Sequence, residues 1–152
     1  MPTLKDQLRA DLTAAMKARD ETRTRTLRMA LTSISNEEVS GPAARDLTND
    51  EVMKILTREA KRRREAAAAF ADAGREDQAA AERAEENVLA AYLPAQLDDA
   101  ELSAMVAAAI AETGASGPAG IGQVMKVITP RVAGRADGSR VAAMVRSQLS
   151  GQ

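Results

Sequence analysis

The 152-residue sequence contains no cysteine, no histidine and no tryptophan, and its only aromatic side chains are Phe70 and Tyr92. Each absence closes a class of chemistry. Without cysteine there is no disulfide framework and no thiol nucleophile. Without histidine the commonest general base and the commonest transition-metal ligand are both gone, so neither a metal nor a cofactor is expected. So few aromatics leave no platform for stacking unpaired bases. They also hand the core to Leu, Ile, Val, Met and Ala, which suit close helix packing better than a sheet. No apolar run approaches membrane-spanning length and the amino terminus does not read as a signal peptide. Together these predict a cytoplasmic protein with no membrane partner.

Charge is nearly balanced, at −1, but unevenly spread. Residues 1–64 carry 14 basic and 10 acidic side chains, residues 65–102 carry 2 and 10, and residues 103–152 carry 5 and 2. Both ends are therefore suited to phosphate contacts, while the middle repels a polyanion.

Helix signals follow one another along the chain. Thr3 reads as a helix cap, and Leu4, Leu8, Leu12 and Met16 then repeat every four residues. Asp20 caps a second helix striped by Leu27, Ala30, Leu31 and Ile34, which stops by Gly41-Pro42. Thr48 and Glu51 form a capping box for a third, with Val52, Ile55, Leu56, Ala60, Ala67 and Phe70 inward. Gly74 breaks that helix. The fourth runs to Pro94 with Ala81, Ala84, Val88, Leu89 and Tyr92 inward, and it should fold back on the third as a long antiparallel hairpin. Beyond it, Asp98 and Glu101 frame a further box. Stripes at Leu102, Val106, Ala109 and Ile110, at Ile121, Val124, Met125 and Ile128, and at Val141, Met144, Val145 and Leu149 predict a three-helix bundle. The expectation is an all-α chain, with a helical region over 1–96 and a small bundle over 97–152.

No catalytic constellation emerges. The segment from Gly114 to Gly122 lacks the Gly-Lys-Ser/Thr ending of a phosphate loop and the third glycine of a dinucleotide fingerprint, and no strand precedes it. A serine nucleophile would need a lysine, yet Lys126 is the only one after Lys61. Glu85-Glu86 and Asp98-Asp99 read as solvated acids, the latter favoured by a helix start. Two basic sets remain as candidates for phosphate contact. Arg58, Lys61 and Arg62 share one helical face, and Arg131, Arg135, Arg140 and Arg146 supply most of the later positive charge. The turn "GRADG" from Gly134 reads first as a hinge, with Asp137 capping the next helix, and second as a helix start beside Arg135 and Arg140 that can hold a phosphate oxygen.

Three quoted stretches carry a resemblance: "AGRED" at 73–77, "YLPAQL" at 92–97 and the ending "GRADGSRVAAMVRSQL". In this order they resemble the YqeY family over nearly the whole chain. Where that family's pattern usually has an acidic residue and a methionine before the glycine of "IGQVM", this chain has Ala119, Gly120 and Ile121. The family is similar to the carboxy-terminal, tRNA-contacting tail of GatB, a component of the glutamine-dependent aminoacyl-tRNA amidotransferase. The resemblance therefore implies a helical module tied to tRNA or to an amidotransferase-like partner. It does not imply a carbon–nitrogen ligase in its own right, because the phosphorylating and glutaminase sites lie elsewhere in that complex. Contact with RNA would be to backbone and shape. The alternative is a protein-interaction adaptor with no nucleic-acid role.

Overall fold

In a computed structural model, which describes residues 1–151, the chain is all-helical and no strand occurs among the described residues. Seven α-helices follow in order: α1 (Leu4–Lys17), α2 (Glu21–Glu38), α3 (Asn49–Asp72), α4 (Glu76–Ala90), α5 (Asp99–Thr113), α6 (Ile121–Val132) and α7 (Gly138–Leu149). A single 3-10 turn, Pro118–Gly120, precedes α6. None of these helices is long and apolar enough to cross a membrane.

The helix starts follow from the side chains placed there. Thr3 with Asp6, Thr48 with Glu51 and Asp98 with Glu101 each close a reciprocal capping box, satisfying amides that a helix start leaves unpaired. Each such cap stabilises its helix by about 1 kcal/mol. Asp20 and Asp137 accept single backbone bonds, from the amides of Arg23 and Ser139.

The ends show a contrast. After α3, the Arg75 amide donates to the Phe70 carbonyl at 2.8 Å and the Gly74 amide to Ala71 at 3.0 Å, with Gly74 at φ 77°. After α1 the same pair of bonds recurs, from Asp20 to Ala15 at 3.0 Å and from Arg19 to Met16 at 3.2 Å. There the left-handed residue is Arg19, at φ 59°. Glycine adopts this conformation without steric penalty, whereas a residue with a Cβ loses about 1–2 kcal/mol.

Contacts divide the chain into two compact units, Met1–Leu93 and Pro94–Gln152. In the first, α3 and α4 pack along each other across the turn at Gly74, while α1 and α2 pack together and each meets α3. Leu8, Leu27, Ile34, Val52, Leu56 and Leu89 form its interior. Each such side chain, fully buried, contributes roughly 1.5–3 kcal/mol. In the second, α5, α6 and α7 pack mutually around Leu102, Val106, Val124, Ile128, Val141 and Val145.

Several inward assignments need correction. Met16 is 49% exposed, and Ala15 is buried in its place. A strict four-residue repeat advances roughly 40° per step around a 3.6-residue helix, so the stripe drifts off the core by its fourth member. Ala81 and Ala84 face solvent, whereas Ala79 and Glu85 are buried. The acid at 85 turns inward because α2 and α3 offer it guanidinium partners.

Candidate functional site

The inward face of α3 is apolar at Val52, Ile55, Leu56, Ala60 and Ala67, but Glu59 and Arg63 interrupt it on the same side. Their i, i+4 spacing brings them together. Arg63 Nη1 donates to Glu59 Oε2 at 2.8 Å and to the Glu59 carbonyl at 3.0 Å. From α2, Ser33 Oγ donates to Glu59 Oε1 at 2.6 Å, and Met29 Sδ lies 3.6 Å from Arg63 Nη2. From α4, Glu85 Oε1 lies 3.9 Å from Arg63 Nε and 3.7 Å from Arg25 Nε. Glu59, Arg63 and Glu85 are 7%, 6% and 8% exposed, so this is a buried ionic cluster tying three helices together.

Burial works against the charge on Glu59. The Ser33 hydroxyl and the Arg63 guanidinium outweigh it and hold the carboxyl below its ordinary pKa. A carboxylate kept ionised in this way is a poor proton donor near neutrality and a weak base. The cluster therefore suits binding and packing better than acid–base catalysis. Beside it opens a cleft of about 450 Å³, whose charged lining residues are Arg28, Arg62, Arg63, Glu59, Glu82 and Glu85.

The residues expected to meet phosphate fall into two sets. On α3, Arg58 is exposed and makes no ion pair among the described residues. Lys61 Nζ stands 3.9 Å from Glu65 Oε1, and Arg62 Nη1 stands 3.8 Å from Glu59 Oε2 with its side chain 72% exposed. Only Arg62 of the three lines the cleft. In the second unit Arg131 is bidentate on Glu112, with Nη2 to Oε1 at 3.0 Å and a closer bond from Nη1 to Oε2. That pairing lowers the pKa of Glu112 and raises that of Arg131. Arg140 grips Asp99 Oδ1 through Nη2 at 2.8 Å and Nε at 3.2 Å. Arg135 Nε reaches the Ala95 carbonyl at 3.3 Å. Arg146 is exposed and makes no ion pair among the described residues.

Three acids read as solvated thus have basic partners, Glu85 in the cluster, Glu86 with Arg64 at 2.8 Å and Asp99 with Arg140. Exposed pairs of the Arg140–Asp99 kind contribute little, so a phosphate could displace them. Sequence reasoning passed over Arg25, Arg28, Met29 and Ser33 of α2. The available signal was a polar pair at core positions of α3, which demands partners from whatever packs on it. The "GRADG" turn is a built hinge. Gly134 has φ 75°, its carbonyl accepts from Gln96 Nε2 at 2.9 Å, and the Arg135 carbonyl accepts from the Leu97 amide at 2.9 Å.

Seven helices in two units, with an internally paired ionic cluster beside an arginine-rimmed cleft, define an all-helical module. The chain belongs to the Yqey-like protein family, whose family model matches residues 5–149. No curated protein matches it.

Proposed function

We propose that this chain is a non-catalytic helical module that holds tRNA by its phosphates, in a cytoplasmic setting, in support of tRNA-dependent amidotransferase chemistry performed by a partner. The observation that carries the reading is the placing of Arg28 and Arg62 on one cleft, beside the Glu59 carboxylate already engaged by Arg63 and Ser33. Cations at the rim can meet an incoming phosphate without first breaking the buried pair. With one tyrosine and one phenylalanine in the chain, the contact is to backbone and shape. The lowered pKa of Glu59 supports binding over turnover. Ammonia release from glutamine by the pure chain, lost on one substitution, would overturn the non-catalytic part.

The test is tRNA binding by the full chain at several salt concentrations, followed by fluorescence anisotropy. Changing Arg58, Lys61 and Arg62 together to Gln keeps helix propensity nearly constant. Removing each true phosphate contact should lower the salt slope by about 0.9, and affinity should fall about equally for all tRNA sequences. A parallel variant, Arg135→Gln with Arg140→Gln, probes the second unit. Unchanged affinity and slope in both variants would remove the RNA reading. The protein-adaptor reading would then lead, and it has its own support: Arg131 and Arg140 are already engaged by Glu112 and Asp99, while Met16 and Met29 stand exposed.

A further inference from the structure

The apolar stripe of α1 outruns its internal partners and surfaces at Met16, which has no role in the tRNA reading. Met16 and Met29 are 49% and 47% exposed and line one concavity of about 670 Å³ where α1 ends and α2 begins. Arg19, Arg25 and Arg28 also line it, with Glu21 the single acid. Arg19 holds the left-handed position that closes α1, where glycine is the unstrained choice. The chain thus keeps a cation at the mouth despite a backbone penalty, which points to a function for that side chain.

We propose that this concavity docks an acidic peptide segment of a partner protein, which sets apolar side chains against Met16 and Met29 and carboxylates against Arg19, Arg25 and Arg28. Thioethers are polarisable and adapt to differently shaped apolar anchors. They offer nothing to a phosphate and no ring face to a base. A second copy of this chain is a poorer occupant. Its acid-rich helix, α4, has alanine at every fully exposed apolar position, too small to fill the floor. Arg19 and Arg28 beside the single lining glutamate, with Arg25 shared with Glu85, give the complementarity that steers an acidic partner. This docking goes beyond the tRNA reading and does not depend on it, since neither Met16 nor Arg19 belongs to the basic sets tested there.

The experiment uses the full chain with 13C-methyl methionine, observed by NMR. The probe is a synthetic glutamate-rich peptide bearing three leucines at helical spacing. The controls are the same peptide with alanine for leucine, and a tRNA transcript. The Met16 and Met29 methyl resonances should both shift saturably with the leucine peptide, and Met16 with that peptide alone. Met16→Gln and Arg19→Glu should each weaken that binding about tenfold, with circular dichroism confirming that both variants fold. Equal binding of the alanine peptide would overturn the proposal by reducing it to charge. A shift of the Met16 methyl with tRNA would make a polyanion the occupant instead, whereas Met29 also lines the cleft of the tRNA reading and does not discriminate. Concentration-dependent shifts without peptide, with a dimer in sedimentation, would make it a second copy. No shift at about millimolar peptide would end it outright.

Discussion

Replacing Arg63 with methionine removes a guanidinium that is 6% exposed and leaves Glu59, 7% exposed, without its closest cationic partner, at 2.8 Å. Breaking one side of a buried ion pair costs roughly 3–5 kcal/mol, because the remaining charge is desolvated and uncompensated. Glu59 would keep Ser33 Oγ at 2.6 Å and Arg62 at 3.8 Å, and Glu85 would keep Arg25 at 3.7 Å. The loss should therefore sit at the lower end, about 3 kcal/mol at pH 7. It should also depend on pH. In the native protein Glu59 has a lowered pKa, so its contribution is fully present above the ordinary value of 4.5 and fades as pH falls through the folded value. In the variant burial is no longer outweighed and the carboxyl pKa rises. Its penalty is then largest at neutral pH and is relieved by protonation on acidification. The gap between the two proteins should narrow between pH 7 and 5. Urea unfolding followed by tyrosine fluorescence measures this unit alone, because Tyr92 is the only tyrosine, lies within Met1–Leu93, and meets no tryptophan. Adding Glu59→Leu to the variant should restore most of the stability, since paired apolar replacements are often neutral. A loss below about 1 kcal/mol, or one equal at both pH values, would contradict this account of the cluster.

Four further outcomes are expected. A Cβ at Gly120 would stand 2.6 Å from Ala115 Cβ, so Gly120→Ala should lower stability by about 1–3 kcal/mol in thermal unfolding. Gly122→Ala, which meets nothing within 4 Å, should be neutral or stabilising by up to about 1 kcal/mol. Glu51 is held at a pKa of about 2 by Arg45 and by the Thr48 amide, so its stabilising contribution should vanish only as pH falls from about 4.5 toward 2. Carboxyl NMR titration should show this, with Arg45→Gln moving the midpoint upward. Burial and the bond to Asp11 raise the Tyr92 pKa above its ordinary 10.0, so absorbance at high pH should show late ionisation; Asp11→Asn should reverse only part of the shift.

The helix caps were legible because capping is local: Thr48 and Glu51, or Asp98 and Glu101, meet through three residues of chain. The stripes at Leu27, Ala30 and Ile34 or at Val141, Val145 and Leu149 were legible because helical geometry repeats. What escaped were features that depend on a distant neighbour. Nothing near Arg140 in sequence announces Asp99, 41 residues away, and nothing near Glu85 announces Arg25. In α4 the alanines made every face look alike, so the inward side was misjudged at Ala81 and Ala84. The break before Asp20 was legible from its cap, but the left-handed residue that closes α1, Arg19, was not, since the glycine that usually marks such a position is absent.

The fastening of Leu97 and Gln96 to the Gly134–Arg135 turn gives the second unit an order of events during synthesis. Gln96 and Gly134 are 38 residues apart, which at typical translation speeds separates their emergence by about two to eight seconds. Every core residue of the first unit, from Leu8 to Leu89, has been made before that interval begins. During it, the Leu97 amide and the Gln96 side-chain amide lack their acceptors, and α7 does not yet exist. A chain truncated within α6 and released should therefore resist protease across its first unit and be cut readily beyond Pro94.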